Sequence, residues 1–154
     1  MGRYSAYVES SAAIAVDTAF AWLMAPAGSG AKLRRVTVGC VAGAAVPTSQ
    51  QLVVGINRVS TAGTTPVAGT IGKLDPNIAT AAMSFDTAFT GAPTLAGSDQ
   101  FRIPFNSQSG ADLPWEGVEE FIIAAGTTNG LAFVNRDNAL PPSHKIVLTI
   151  EWEE

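Results

Sequence analysis

Any chemistry in this chain would have to start from His144, Cys40 and the acids. His144 is the sole histidine, so a histidine-based metal site would have one such ligand, and a Ser/His/Asp relay would have to run through it. No Gly-x-Ser-x-Gly elbow presents a serine nucleophile. His144 follows Pro141-Pro142-Ser143, which points to a turn or strand start with a local hydrogen bond. Cys40 is the single cysteine and sits among Val38, Gly39, Val41 and Ala42. It reads as a buried, inert thiol, because a reactive thiolate needs an accessible, electropositive setting. One cysteine excludes an internal disulfide and fits manufacture in a reducing compartment.

The acids cluster as Glu116, Glu119 and Glu120, and as Glu151, Glu153 and Glu154. Paired carboxylates hydrolyse glycosides when a fixed distance separates them, and nothing here fixes one. The last trio is expected to be a solvated end. Gly69, Gly72 and Lys73 approach a phosphate-loop spacing, but the first glycine is replaced by Val67 and the closing Ser/Thr by Leu74. A nucleotide site is rejected. Asp75, Asn77, Asp99, Asp112, Asp137 and Asn138 could supply loop oxygens to calcium, yet none has the spacing of a known calcium loop. Turn chemistry is their expected role, and no cofactor or metal is expected.

Four residues remain as candidates for contact with a partner: Arg34, Arg35, Trp115 and Trp152. Arg34-Arg35 is a doublet at a strand entry. Side chains alternate along a strand, so the two point to opposite faces or a bulge separates them. They serve as rim charges or meet an acidic neighbouring subunit. Trp115, between Pro114 and Glu116, could stack on a sugar, anchor an interface or pack under its loop. Trp152 continues an apolar strand face, which suits the core or a subunit contact.

The elements that must position these residues are strands. Leu33 to Val41 and Gln51 to Ser60 flank a Gly/Pro/Ser break at Gly43 to Ser49 and are expected to be neighbouring strands. On the second, Leu52, Val54 and Ile56 share one face. Lys145 to Trp152 alternates cleanly, with Ile146, Leu148, Ile150 and Trp152 on one side. Phe101, Ile103 and Phe105 alternate with Arg102 and Pro104, and the proline suggests an edge or a strand end. Met83 to Phe89 alternates too. Leu131 to Asn135 is a short strand. Glu119 to Ala125 is apolar on both faces and is expected to be a central, covered strand. Ala12 to Met24 could be helix, but the turn at Pro26, Gly28 and Gly30 leads straight to the strand at Leu33, so a strand carrying Phe20, Trp22 and Met24 on one face is preferred. Residues 1–11 are an N-terminal arm or a first strand, and an arm would add to a neighbour's sheet edge. Residues 12–154 form one domain.

Eight or nine short strands at regular spacing indicate an all-β fold, a two-sheet antiparallel sandwich of jelly-roll-like form. At 154 residues one core suffices. Charged residues make up only 14% and the net charge is −4, against about 25% charged in an average domain. Such a surface suits burial in an assembly. The acidic balance lacks the basic footprint that nucleic acid requires, no apolar run reaches membrane-spanning length, and the N-terminus lacks the pattern of a secretory signal.

Lys32-Leu-Arg-Arg-Val-Thr-Val-Gly, Gln51-Leu-Val-Val-Gly-Ile-Asn-Arg-Val-Ser-Thr-Ala-Gly-Thr, Lys73-Leu-Asp-Pro and Leu148-Thr-Ile-Glu-Trp-Glu-Glu together resemble small structural proteins of tailed bacteriophages. The likeness spans most of 33–154 in style and segment order. That family includes head decoration (cement) proteins, β-sandwiches that trimerise on the capsid exterior. The resemblance implies a non-enzymatic virion protein, made in the host cytoplasm. It would be a homo-oligomer, a trimer, on the outer capsid surface, and its partners would be copies of itself and the major capsid protein. A tail or fibre component and a carbohydrate-binding jelly roll using Trp115 are the alternatives.

Overall fold

The computed structural model describes residues 1–43, 49–115 and 121–154. Thirteen strands form there and no helix does. The longer ones are β1 (Arg3–Glu9), β2 (Thr18–Met24), β3 (Ala31–Val41), β4 (Gln51–Thr61), β9 (Phe101–Asn106), β12 (Gly130–Asn135) and β13 (Lys145–Glu153). The shorter ones are β5 (Val67–Ala68), β6 (Ile71–Lys73), β7 (Ser84–Thr87), β8 (Thr94–Leu95), β10 (Ala111–Pro114) and β11 (Phe121–Ile123). The first sheet runs β10-β3-β13-β1-β6, with β11 also on β3. The second runs β5-β7-β2-β12-β4-β8, with β9 also on β4. Every strand pairing is antiparallel.

The expected all-β sandwich is therefore the fold, with thirteen strands in place of eight or nine. The additional strands are two to four residues long and lie in Thr-, Gly- and Pro-rich stretches, where a run is too short to show alternation.

The core lies between the sheets. On β13, Ile146, Leu148, Ile150 and Trp152 are fully buried, while Lys145, Val147, Thr149 and Glu151 are turned outward. On β1, Tyr4, Ala6 and Val8 enter the same core as Leu33, Val36 and Val38 of β3 and Leu52, Val54 and Ile56 of β4. Each fully buried aliphatic side chain contributes on the order of 1.5–3 kcal/mol. Arg3–Glu9 is thus an integral strand, hydrogen-bonded to β13 on one side and β6 on the other, and not an extended arm.

Three expectations are corrected. First, β3 and β4 are not neighbours: β3 pairs with β13, β10 and β11 in one sheet, and β4 with β12, β9 and β8 in the other. Two-residue turns such as Asn-Gly are what favour a hairpin. Val41 ends β3 in one sheet and Gln51 opens β4 in the other, roughly 10 Å away in packed sheets. Residues 44–48, between them, lie outside the described ones. Second, Phe20 does not share a face with Trp22 and Met24. The register of β2 on β12 slips between Ala19 and Ala21, and this bulge sends Phe20 into the main core while Trp22 and Met24 face outward. Third, Phe121–Ile123 is a short strand paired to β3 with Ile122 half-exposed, rather than a central covered one. The preference for strand over helix before Pro26 holds for Thr18–Met24, and Pro104 does sit on an edge strand, β9.

The two outer faces differ. That of the second sheet is roofed by its own chain: Ala19, Trp22, Met24, Val59, Ala132 and Val134 form a second apolar cluster closed by Phe89 and Leu95. That of the first sheet is a flat field. One row reads Tyr7–Thr149–Thr37–Asp112 across β1, β13, β3 and β10, and the next reads Ser5–Glu151–Arg35–Pro114.

Candidate functional site

A bulge settles the Arg34-Arg35 doublet. The register of β3 on β13 shifts between Leu33 and Arg35, which pair with Trp152 and Glu151. Arg34 is the extra residue, so it joins Arg35 on the outer side while Leu33 and Val36 stay buried. Arg34 Nε donates to Glu153 Oε2 at 2.7 Å. Arg35 grips Asp112 with both arms, Nε to Oδ1 at 2.8 Å and Nη2 to Oδ2 at 2.5 Å, and the Thr37 hydroxyl adds a bond to Oδ1 at 2.8 Å. These contacts, from Arg35 first and then Thr37, hold the Asp112 carboxyl down at about 2.

Arg34 and Arg35 line a cleft of about 420 Å³ at one corner of the bare face, with Arg3, Pro114, Trp115 and Glu151. The structure thus brings together three of the four residues singled out from sequence. Trp115 forms one wall but is only 7% exposed. Phe101 and Phe121 pack edge-on to its ring at 5.5 and 6.2 Å, and the backbone N–H of Trp115 donates to the Arg34 carbonyl. An indole so enclosed presents no open face on which a sugar could stack. Trp152 is elsewhere: it is fully buried, stacked with Tyr4 at 5.8 Å, and its Nε1 donates to Glu154 Oε1. It belongs to the core and offers nothing to a partner surface.

The other candidates disperse. His144 is buried, with Nδ1 3.1 Å from the Pro142 carbonyl, which is the local bond expected of it. Cys40 is half-buried against the main core, less enclosed than expected, and burial pushes its thiol up. Gly69 lies against Phe85, where a Cβ would come within 2.6 Å of the ring, and Lys73 donates to the Ile78 carbonyl. Those glycine and lysine positions are explained by packing. Asp75 closes a turn onto Asn77 N. Glu151, Glu153 and Glu154 do not converge: Glu154 accepts from the backbone N–H groups of Ala82 and Met83, while Glu153 serves Arg34. Glu116, Glu119 and Glu120 lie outside the described residues. Among the described residues no group of three or more His, Cys, Asp or Glu is placed to hold a metal.

One constellation was missed from sequence. On the outer side of the second sheet, the Asp99 side chain is 2% exposed. It receives Arg136 Nη2 at 2.5 Å, Arg102 Nε at 2.9 Å and Asn57 Nδ2 at 3.1 Å, and Arg136 reaches on to Asp17 at 2.7 Å. Burial alone would raise the Asp99 carboxyl, but bonds from Arg136, Asn57 and Arg102 outweigh it and hold it below its usual range. Gly55 leaves the room: a Cβ there would stand 2.7 Å from Asp99 Oδ2. The legible signal was Asn57, a polar residue within the apolar run of β4. With its guanidiniums turned onto one carboxylate, this cluster clamps loops together and leaves no reactive group exposed.

No family model, no curated protein and no solved structure matches this chain.

Proposed function

We propose that the chain is a non-enzymatic structural protein of a virion, a head decoration protein that self-associates as a trimer on the outer capsid surface and bridges capsid subunits. The observation that carries this reading is the unequal cover of the two sheets. The second sheet's outer face is roofed by the protein's own segments, whereas among the described residues none covers the first sheet's across β1, β13, β3 and β10, where Tyr7 is 52% exposed. The middle of that field is Tyr7, Thr37, Gly39, Val147 and Thr149, uncharged and flat. Burial of such a face excludes water without stranding charges, which is the composition of an interface centre. The segment resemblance supports the virion assignment, and the low charge content fits a surface that is covered by other copies or by a shell.

Light scattering on the purified protein, paired with mass spectrometry of fractionated virions, tests this. The expected result is a mass three times the 15.9 kDa chain and recovery of the chain with the capsid fraction. A monodisperse monomer that is also missing from virions would remove the reading.

A further inference from the structure

We infer that the corner cleft is a binding site for a single carboxylate that carries a neighbouring hydrogen-bond donor, such as an acidic side chain with its own amide. The inference comes from charge accounting on the bare face and stands whether or not copies assemble there.

Three guanidiniums, Arg3, Arg34 and Arg35, stand among three acids, Glu151, Glu153 and Asp112. Two of the acids are taken. Arg35 holds Asp112 through a two-point fork, and Arg34 holds Glu153 at 2.5 Å. The remaining charges, Arg3 and Glu151, both line the cleft, and neither makes a side-chain hydrogen bond or ion pair with a described residue. Glu151 acts on Arg35 only through space. Among the described residues, the cleft therefore presents one guanidinium and one carboxylate without a side-chain partner, beside the indole of Trp115 and the ring of Pro114.

That pattern selects its ligand. A guanidinium fork fits the planar carboxylate through two parallel N–H bonds. A phosphate dianion would bring two charges beside Glu151, so it is disfavoured. A bare carboxylate satisfies Arg3 but leaves Glu151 without a donor, whereas an acid with an adjacent N–H or O–H satisfies both. The volume of about 420 Å³ suits one small acid or one side chain and is within the usual span of small-ligand sites. Arg34 and Arg35, already engaged, set the walls.

The ligand can be a free acid or a side chain of another copy, and one experiment separates the two. The ¹⁵N-resolved Nε–Hε resonance of Arg3 is followed while N-acetyl-β-alanine, which carries one carboxylate and the amide N–H of an aspartate residue, and separately acetate, is titrated at constant ionic strength. The same resonance is followed in a dilution series of the protein alone. Saturable movement with N-acetyl-β-alanine, at least several-fold tighter than with acetate, is expected. In Arg3→Gln, whose far-UV spectrum should match the parent, the shifts of neighbouring Ser5 and Trp115 amides on titration should vanish. Glu151→Gln should lose the preference for N-acetyl-β-alanine over acetate. Movement on concentrating the protein alone would assign the natural acid to a second copy; movement only with added acid would assign it to a free ligand. No saturable movement in either series, or equal amide shifts in Arg3→Gln, would overturn the inference. Preferential binding of inorganic phosphate would overturn it as well.

Discussion

At the scale of single residues, the Asp99–Arg136 clamp decides most. A carboxylate this enclosed is tolerated only because Arg136, Arg102 and Asn57 surround it. Removing one partner of a buried pair leaves the other charge stranded, at a cost of about 3–5 kcal/mol. Asp99→Asn is therefore expected to lower the unfolding free energy, measured by denaturant titration, by that order. The pH dependence follows from the direction of the shift. Because the folded carboxyl is held below its unfolded value, which is about 3.9, its contribution is complete above that value. It is lost as pH falls through the lower folded value. Unfolding curves taken on the way into acid should show the parent losing stability more steeply than Asp99→Asn; parallel curves would contradict the assignment. Gly55→Ala probes the same place from the backbone side. Its Cβ would crowd Asp99 Oδ2 at 2.7 Å and Arg136 Cγ at 3.0 Å, so a loss of about 1–3 kcal/mol is expected, the usual cost of overpacking. A Gly55→Ala protein as stable as the parent would show that the clamp can shift without penalty.

Among the elements, β1 separates this fold from the alternative of a mobile arm. All seven of its residues pair with β13, and three more pairings reach β6. Tyr4, Ala6 and Val8 are core residues. A chain lacking residues 1–9 is expected to show no cooperative thermal transition by far-UV circular dichroism. A melt as sharp as the parent's would mean that β1 is an accessory. Elements were legible from sequence in proportion to how local their determinants are. The β13 faces could be read directly, since strict alternation over nine residues has one interpretation. The bulge at Phe20 could not, and that at Arg34 stood only as one of two alternatives, because one extra residue reverses every later side chain and only the partner strand reveals it. The partners of β3 and β4 were equally hidden: both present an apolar inner face, and that pattern is the same in a hairpin and in a crossing between layers. Within the corner cleft, Arg34, Arg35 and Trp115 were found by residue type. Arg3 and Glu151 were not, because their role depends on which neighbours are already paired.

For the whole molecule, the question is which surface is free to meet another. Sheet edges invite strand addition unless they are short or interrupted. Here they are blunted: β6 has three residues and β5 and β8 two each, β10 ends at Pro114, and β9 carries Pro104. Association through edges is thus disfavoured, and the second sheet's outer face is already occupied. That leaves the open face of the first sheet, centred on Thr149, which lies between Tyr7 on β1 and Thr37 on β3. Arginine at position 149 would place a long, charged chain at the centre of that field while its backbone and inner neighbours, Leu148 and Ile150, stay unchanged. The decisive measurement is the solution mass of the parent and of Thr149→Arg by light scattering over a range of concentrations. The account predicts an oligomer for the parent and a folded monomer for the variant. An oligomer of equal mass and stability in both proteins would contradict it.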